Sequence, residues 1–141
     1  MNLKGIKMVD FIKNIVKLRP HHLLCIEGFK GLGYSKDFVD NMKNVISDLL
    51  KSGKVSIIKG VDDICRKCPY LDGNACNNTY GRSVNDMDEI VVNKLGLIEN
   101  TIEDYYKIKE KIYNVFRKKD DLYGICDKCS WKDVCDFYKK F

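Results

Sequence analysis

The sequence predicts a mainly α protein with a minor β element, a small single domain that carries two cysteine-rich metal-binding loops. Three observations lead there. Apolar residues recur at helical spacing between Phe38 and Leu50, and a β-branched run over residues 55–58 stands alone between Gly53 and Gly60. Two cysteine-rich regions, residues 64–82 and 122–133, interrupt the periodic segments. With 141 residues, 45% of them apolar, the chain can bury one core without disulfide staples.

Residues 1–17 read as an N-terminal extension, in which Val9, Ile12 and Val16 keep a weak helical spacing, and residues 18–141 as a single cysteine-rich metal-binding domain. Pro20 suits a first helical turn, where its missing N–H is no loss, and predicts a short helix over 21–30 ended by Gly31 and Gly33. Ser35 is placed to cap the next helix, whose face is Phe38, Met42, Val45, Ile46, Leu49 and Leu50, and which Gly53 ends. Val55, Ile57 and Ile58 predict a strand over 54–59, whose partner the local pattern does not identify. Gly, Asn and Pro mark 64–82 as a loop. A helix over 84–95 ends at Gly96. Another opens at Thr101, with Asp104 at its third position as an imperfect capping box and Ile102, Tyr105, Ile112 and Phe116 facing inward. After the second cysteine loop, a last short helix carries Val134, Phe137, Tyr138 and Phe141.

The apolar stretches are far shorter than the roughly 20 residues a bilayer requires. Lys4, Lys7, Asp10 and Lys13 interrupt any apolar leader region, so the expectation is a cytoplasmic protein with no membrane partner. Cytosolic thiols are kept reduced, and a cysteine cluster there points to metal or catalysis rather than to a disulfide framework. There are seven cysteines, an odd number that pairing would leave with one over. The formal charge of +5 is spread through alternating Lys and Asp/Glu, which describes a solvated exterior and points away from a nucleic-acid footprint. A redox or protein partner is the expectation that remains.

The cysteines form two triads, Cys65/Cys68/Cys76 and Cys126/Cys129/Cys135. Each is a CxxC followed, after seven or five residues, by a third Cys. The pattern Ile-Cys-x-x-Cys-x-aromatic occurs in both, at Ile64 to Tyr70 and Ile125 to Trp131. A CxxC turns the backbone so that both sulfurs face one centre and amide N–H groups support the thiolates. Redox dithiols share one such motif and buried structural thiols need none, whereas two CxxC motifs with matched third cysteines favour metal ligation. Structural zinc prefers paired hooks, while iron-sulfur clusters accept a CxxC with one local and one distant Cys. Pro69 after Cys68 is similar to the Cys-Pro of ferredoxin motifs. The second triad resembles the opening of the auxiliary-cluster motif in the SPASM extension of radical enzymes, with Lys139 where that motif has its next Cys. Tyr70 and Trp131 are placed to exclude water from the sulfurs, or else to serve as ordinary core residues.

In the segment His21-His22-Leu23-Leu24-Cys25, either His can share a helical face with Cys25. Cys25 is then a candidate distant ligand, His21 or His22 a candidate ligand for one triad, and Cys25 with a His a candidate nucleophile pair. The alternative is a buried Cys beside two hydrogen-bonded histidines. Arg19 is placed to pair with acidic groups or to balance thiolate charge.

Residues 18–25 (LRPHHLLC), 31–38 (GLGYSKDF), 62–69 (DDICRKCP) and 126–131 (CDKCSW) together resemble an uncharacterised prokaryotic family, domain of unknown function 1284. The resemblance covers residues 18–135. It implies a bacterial or archaeal source and, since members are sometimes labelled iron-sulfur binding, cysteines that act together; it brings no established activity. The expected function is binding of an iron-sulfur cluster of the 4Fe-4S type, for electron transfer or sensing. The alternatives are a zinc-stabilised module that binds protein or nucleic acid, and a thiol-dependent enzyme.

Overall fold

The strand expected over residues 54–59 spans Lys54–Ile57 and has two partners, one from each side of it in the sequence. The computed structural model describes residues 15–72, 75–76, 83–127, 129 and 131–141, with the side chains of 72, 75 and 76 outside that description. The chain runs β1 (Val16–Leu18), α1 (His22–Gly28), α2 (Lys36–Ser52), β2 (Lys54–Ile57), β3 (Leu71–Asp72), β4 (Ala75–Cys76), α3 (Val84–Leu95), β5 (Thr101–Asp104) and α4 (Tyr105–Val115). Single 3-10 turns lie at Cys65–Lys67, Lys119–Leu122 and Tyr138–Lys140. Among the described residues, four α-helices and a three-stranded sheet make this a small domain, mainly helical with a minor β element.

The sheet order is β1-β2-β5. β1 lies parallel to β2, with Val16 opposite Val55 and Leu18 opposite Ile57. β5 lies antiparallel to it, with Lys54 opposite Asp104 and Ile57 opposite Thr101. Val16, Leu18, Val55 and Ile57 are buried on one face of the sheet, each removing about 1.5–3 kcal/mol worth of apolar surface from water. They join Met42, Val45 and Leu49 of α2 and Val91 and Leu95 of α3 in one core.

Helix α2 matches its expectation at both ends and on most of its face, except that Leu50, expected on that face, is 47% exposed. Ser35 Oγ accepts from the Phe38 N–H, and Gly53 closes the helix in the left-handed conformation at φ 66° before the chain enters β2. The helix expected from Thr101 is corrected. Residues 101–104 are the strand β5, and Asp104 caps α4 by accepting from the Tyr106 and Lys107 N–H groups. Ile102 is accordingly 51% exposed, whereas Tyr105, Ile112 and Phe116 are buried. A free backbone edge on β2 outweighs the capping signal, because pairing there satisfies four residues of ladder. Val16 is likewise strand rather than helix; Val9 and Ile12 lie outside the described residues. Helix α1 stops at Gly28, and the C-terminal segment expected to be helical is a series of turns with one 3-10 turn.

Candidate metal centre

Asp62 organises the first half of the site. Its carboxylate is buried and accepts from three donors: the Arg19 N–H (2.8 Å), the Cys65 N–H (2.9 Å) and, at 2.7 Å, His22 Nδ1. Burial alone would raise its pKa, but the His22 imidazole and the two amides outweigh that and hold the carboxyl below the usual range. One side chain thus ties the end of β1, the start of α1 and the 3-10 turn at Cys65 together. Asp63 beside it accepts from the Lys17 N–H at 2.8 Å. The Asp62-Asp63 pair therefore positions backbone and a histidine, which accounts for its place just before the first CxxC.

A second buried carboxylate, Asp88 on α3, holds Arg19 and His21. Arg19 Nε donates to Asp88 at 2.8 Å, and Arg19 Nη2 donates to Asn85 Oδ1 at 2.9 Å. Both His21 Nδ1 (2.6 Å) and the His21 N–H (2.9 Å) meet Asp88 Oδ1. Burial and the neighbouring His22 and Arg19 bring the His21 pKa down to about 4 despite Asp88, so its ring is neutral at ordinary pH. Arg19 Nη1 lies 3.9 Å from Cys65 Sγ, the charge-balancing position expected for it. Asp88 and Asn85 escaped the sequence reading. Their signal was there, however, since Asp88 sits on the same face of α3 as Val91 and Leu95 and next to Met87, an acidic residue in a core stripe.

The two CxxC turns have the same local geometry: the Cys68 N–H donates to the Cys65 carbonyl and the Cys129 N–H to the Cys126 carbonyl, both at 3.0 Å. In the second triad, sulfur itself accepts from backbone, Cys129 Sγ from the Trp131 N–H (3.4 Å) and Cys135 Sγ from the Tyr138 N–H (3.5 Å). The C-terminal segment is fastened to α1 by a bond from the Asp136 N–H to the Gly28 carbonyl, and Cys135 Sγ fills the space where a Gly28 side chain would begin. Cys25 is one turn earlier on the same helix. Cys76 lies in β4, opposite Leu71 in the β3–β4 hairpin, and its side chain is outside the described residues.

Six cysteines, Cys25, Cys65, Cys68, Cys126, Cys129 and Cys135, line a single cavity of about 150 Å³, together with both histidines and a largely apolar wall. None of the six forms a disulfide with another. Burial pushes the Cys65 thiol up to about 12 and raises Cys25, Cys126 and Cys129; for Cys25 the neighbouring Cys129, Cys126 and Cys135 add to the effect. Over the cavity, the ring of Tyr34 makes edge contacts with Tyr70 at 5.0 Å and with Trp131 at 5.3 Å, so the aromatic residues that follow the two CxxC motifs meet at one tyrosine. Among the described residues Trp131 Nε1–H is buried with no well-formed acceptor, although it interacts with the Tyr34 side chain. Among the described residues, one set of ligand atoms gathers within 4.8 Å, from His22, Asp62 and Cys65.

No helix of the described residues is long and apolar enough to cross a membrane. No curated protein and no solved structure matches the chain. A family model described as "Protein of unknown function (DUF1284)" matches residues 33–135, from the glycine that precedes Tyr34 to the last cysteine of the second triad. The chain belongs to that family.

Proposed function

We propose that the cavity holds an iron-sulfur cluster of the 4Fe-4S type on cysteine thiolates, and that the protein serves electron transfer or sensing. One observation carries this reading: six thiols from three well-separated stretches of sequence face one small, largely apolar cavity. Thiols raised by burial and by one another are uncharged by themselves, and a bound cationic centre supplies the charge that makes them thiolates. The same shift is opposite to that of a nucleophilic cysteine, which needs its pKa lowered, so the site favours ligation over a thiol enzyme.

The polar groups around the cavity fit a sulfide-bearing ligand. Among the described residues the buried Trp131 Nε1–H has the Tyr34 side chain beside it but no well-formed acceptor, and a cluster sulfur would be one. Backbone N–H groups already bond Cys129 and Cys135 Sγ, the kind of contact that tunes cluster potential. When bound, the cluster supplies one-electron chemistry. The chain's own residues would hold it, exclude water through Tyr34 and Trp131, and set its surroundings; Tyr70, 41% exposed, only buttresses Tyr34 from outside the cavity. The test is anaerobic purification with iron and acid-labile sulfide assays and optical and Mössbauer spectra. Iron with equimolar sulfide is expected; a colourless protein without sulfide overturns the reading.

A further inference from the structure

Among the described residues one compact set of ligand atoms includes two residues of the cavity wall, and it mixes nitrogen with sulfur. His22 and Cys65 supply atoms within 4.8 Å, with Asp62 as the third member. Asp62, however, already uses three of a carboxylate's roughly four acceptor sites on the Arg19 amide, the Cys65 amide and His22 Nδ1. Its role is to orient. A carboxylate that accepts Nδ1–H fixes the neutral imidazole in the tautomer whose Nε2 lone pair is available, the arrangement found behind metal-bound histidines. The atoms left for a cation are the second ring nitrogen of His22, Nε2, and Cys65 Sγ; Cys68 stands outside that compact set but lines the same cavity, one CxxC turn from Cys65.

The other four described thiols line the same cavity from other elements. Cys25 and Gly28 share α1, Cys135 Sγ lies against Gly28, and the bond from the Asp136 N–H to the Gly28 carbonyl keeps it there. Cys126 and Cys129 come from the turn that ends at Trp131. The ring of Tyr34 stands between Trp131, which follows this group, and Tyr70, which follows Cys68. Arg19 Nη1 approaches Cys65, on the side with His22.

We infer that the thiols divide between two centres: Cys25 joins Cys126, Cys129 and Cys135 as the four-thiolate holder of the cluster, and His22, through Nε2, joins Cys65 and Cys68 in a separate site for a single zinc-class ion. The first half rests on the iron-sulfur reading above; the second stands without it. Donor chemistry agrees with the division, since four thiolates suit an iron-sulfur cluster and a mixed imidazole-thiolate set suits tetrahedral zinc.

The test uses the full chain purified anaerobically as wild type, His22→Asn and Cys25→Ala, with zinc, iron and acid-labile sulfide measured per chain. Asparagine keeps an N–H where His22 Nδ1 meets Asp62 and removes Nε2, so the fold-bearing bond survives. The expected result is loss of zinc from His22→Asn with iron, sulfide and the visible band unchanged, and the reverse from Cys25→Ala. Zinc X-ray absorption on the wild type adds a readout that needs no variant, and should show nitrogen at about 2.0–2.1 Å beside sulfur at about 2.3 Å. Wild type holding iron and sulfide but no zinc, all-sulfur zinc ligation, or joint loss of both metals in His22→Asn overturns the division. Zinc without sulfide in the wild type instead overturns the cluster and leaves the His22 site standing.

Discussion

Gly28 has room for a hydrogen and nothing larger. A Cβ there would collide with Cys135 Sγ, the end of a one-torsion side chain, and lie 3.2 Å from the Phe137 backbone nitrogen and Cβ, which cannot swing aside. Gly28→Ala should therefore push Cys135 off α1 and cost roughly 1–3 kcal/mol of overpacking strain. Iron and sulfide per chain should fall together with the urea midpoint, and unchanged cluster content would show that Cys135 is not held there. Asp88 is a case of the opposite kind, a carboxylate whose removal empties space but leaves the Arg19 guanidinium buried and without its main partner. Asp88→Ala should cost roughly 3–5 kcal/mol, a large part of a domain's stability, measured by urea unfolding. The sign of its pH dependence follows from the depressed pKa: burial would raise it, but the bonds to His21 and the Arg19 charge outweigh burial. Asp88 therefore adds stability above its ordinary value of 3.8, lost as pH falls below that through the folded value. The acid limb of the wild-type stability curve should be steeper than that of Asp88→Ala.

Among the elements, α2 was the most legible because everything that defines it is local. Its cap, apolar face and left-handed terminator lie within the residues they act on, and Ser35→Ala should remove about 1 kcal/mol by leaving the Phe38 N–H without its acceptor. Unfolding in urea with a shifted midpoint and unchanged slope would check this. The sheet was half legible. Val55 and Ile57 announce a strand, but a parallel partner in residues 16–18 and an antiparallel one in 101–104 are choices made by register across the whole fold, which no local pattern encodes. That is also why Thr101 and Asp104 read as a helix start: Asp104 does cap a helix, three residues later than the pattern suggested. The site divides in the same way. The CxxC spacing is local chemistry and could be read directly, as could a histidine next to a cysteine. What the sequence left open was which carboxylate takes which histidine, and that is settled by α3 packing Asp88 under His21 while the loop before Cys65 brings Asp62 to His22.

The molecule as a whole has an uneven distribution of support. The sheet, α2 and α3 share an apolar core, and Glu27 on α1 accepts from the Tyr105 hydroxyl at 2.6 Å and the Tyr113 hydroxyl at 2.8 Å, which clamps α1 to α4 without any metal. Beyond α4 the described chain has only two 3-10 turns, and its backbone hydrogen bonds are short-range turn bonds apart from that of the Asp136 N–H to the Gly28 carbonyl. Its anchors are Leu122, Ile125 and Phe137 in the core, the bond to Gly28, and the three thiols of the second triad. The proposed centre shared between Cys25 and that triad would close most of the chain into a loop, and metal binding would then add its free energy mainly to this segment. Removing metal anaerobically with a chelator should lower the melting temperature and open the C-terminal segment first, while α2 and the sheet keep their amide protection. Trypsin offers a direct readout, with early cleavage after Lys132 and Lys139 in the stripped protein and resistance in the loaded one. Equal cleavage rates at those lysines in both forms would mean that the apolar anchors alone hold the segment, and that the thiols contribute nothing to its order.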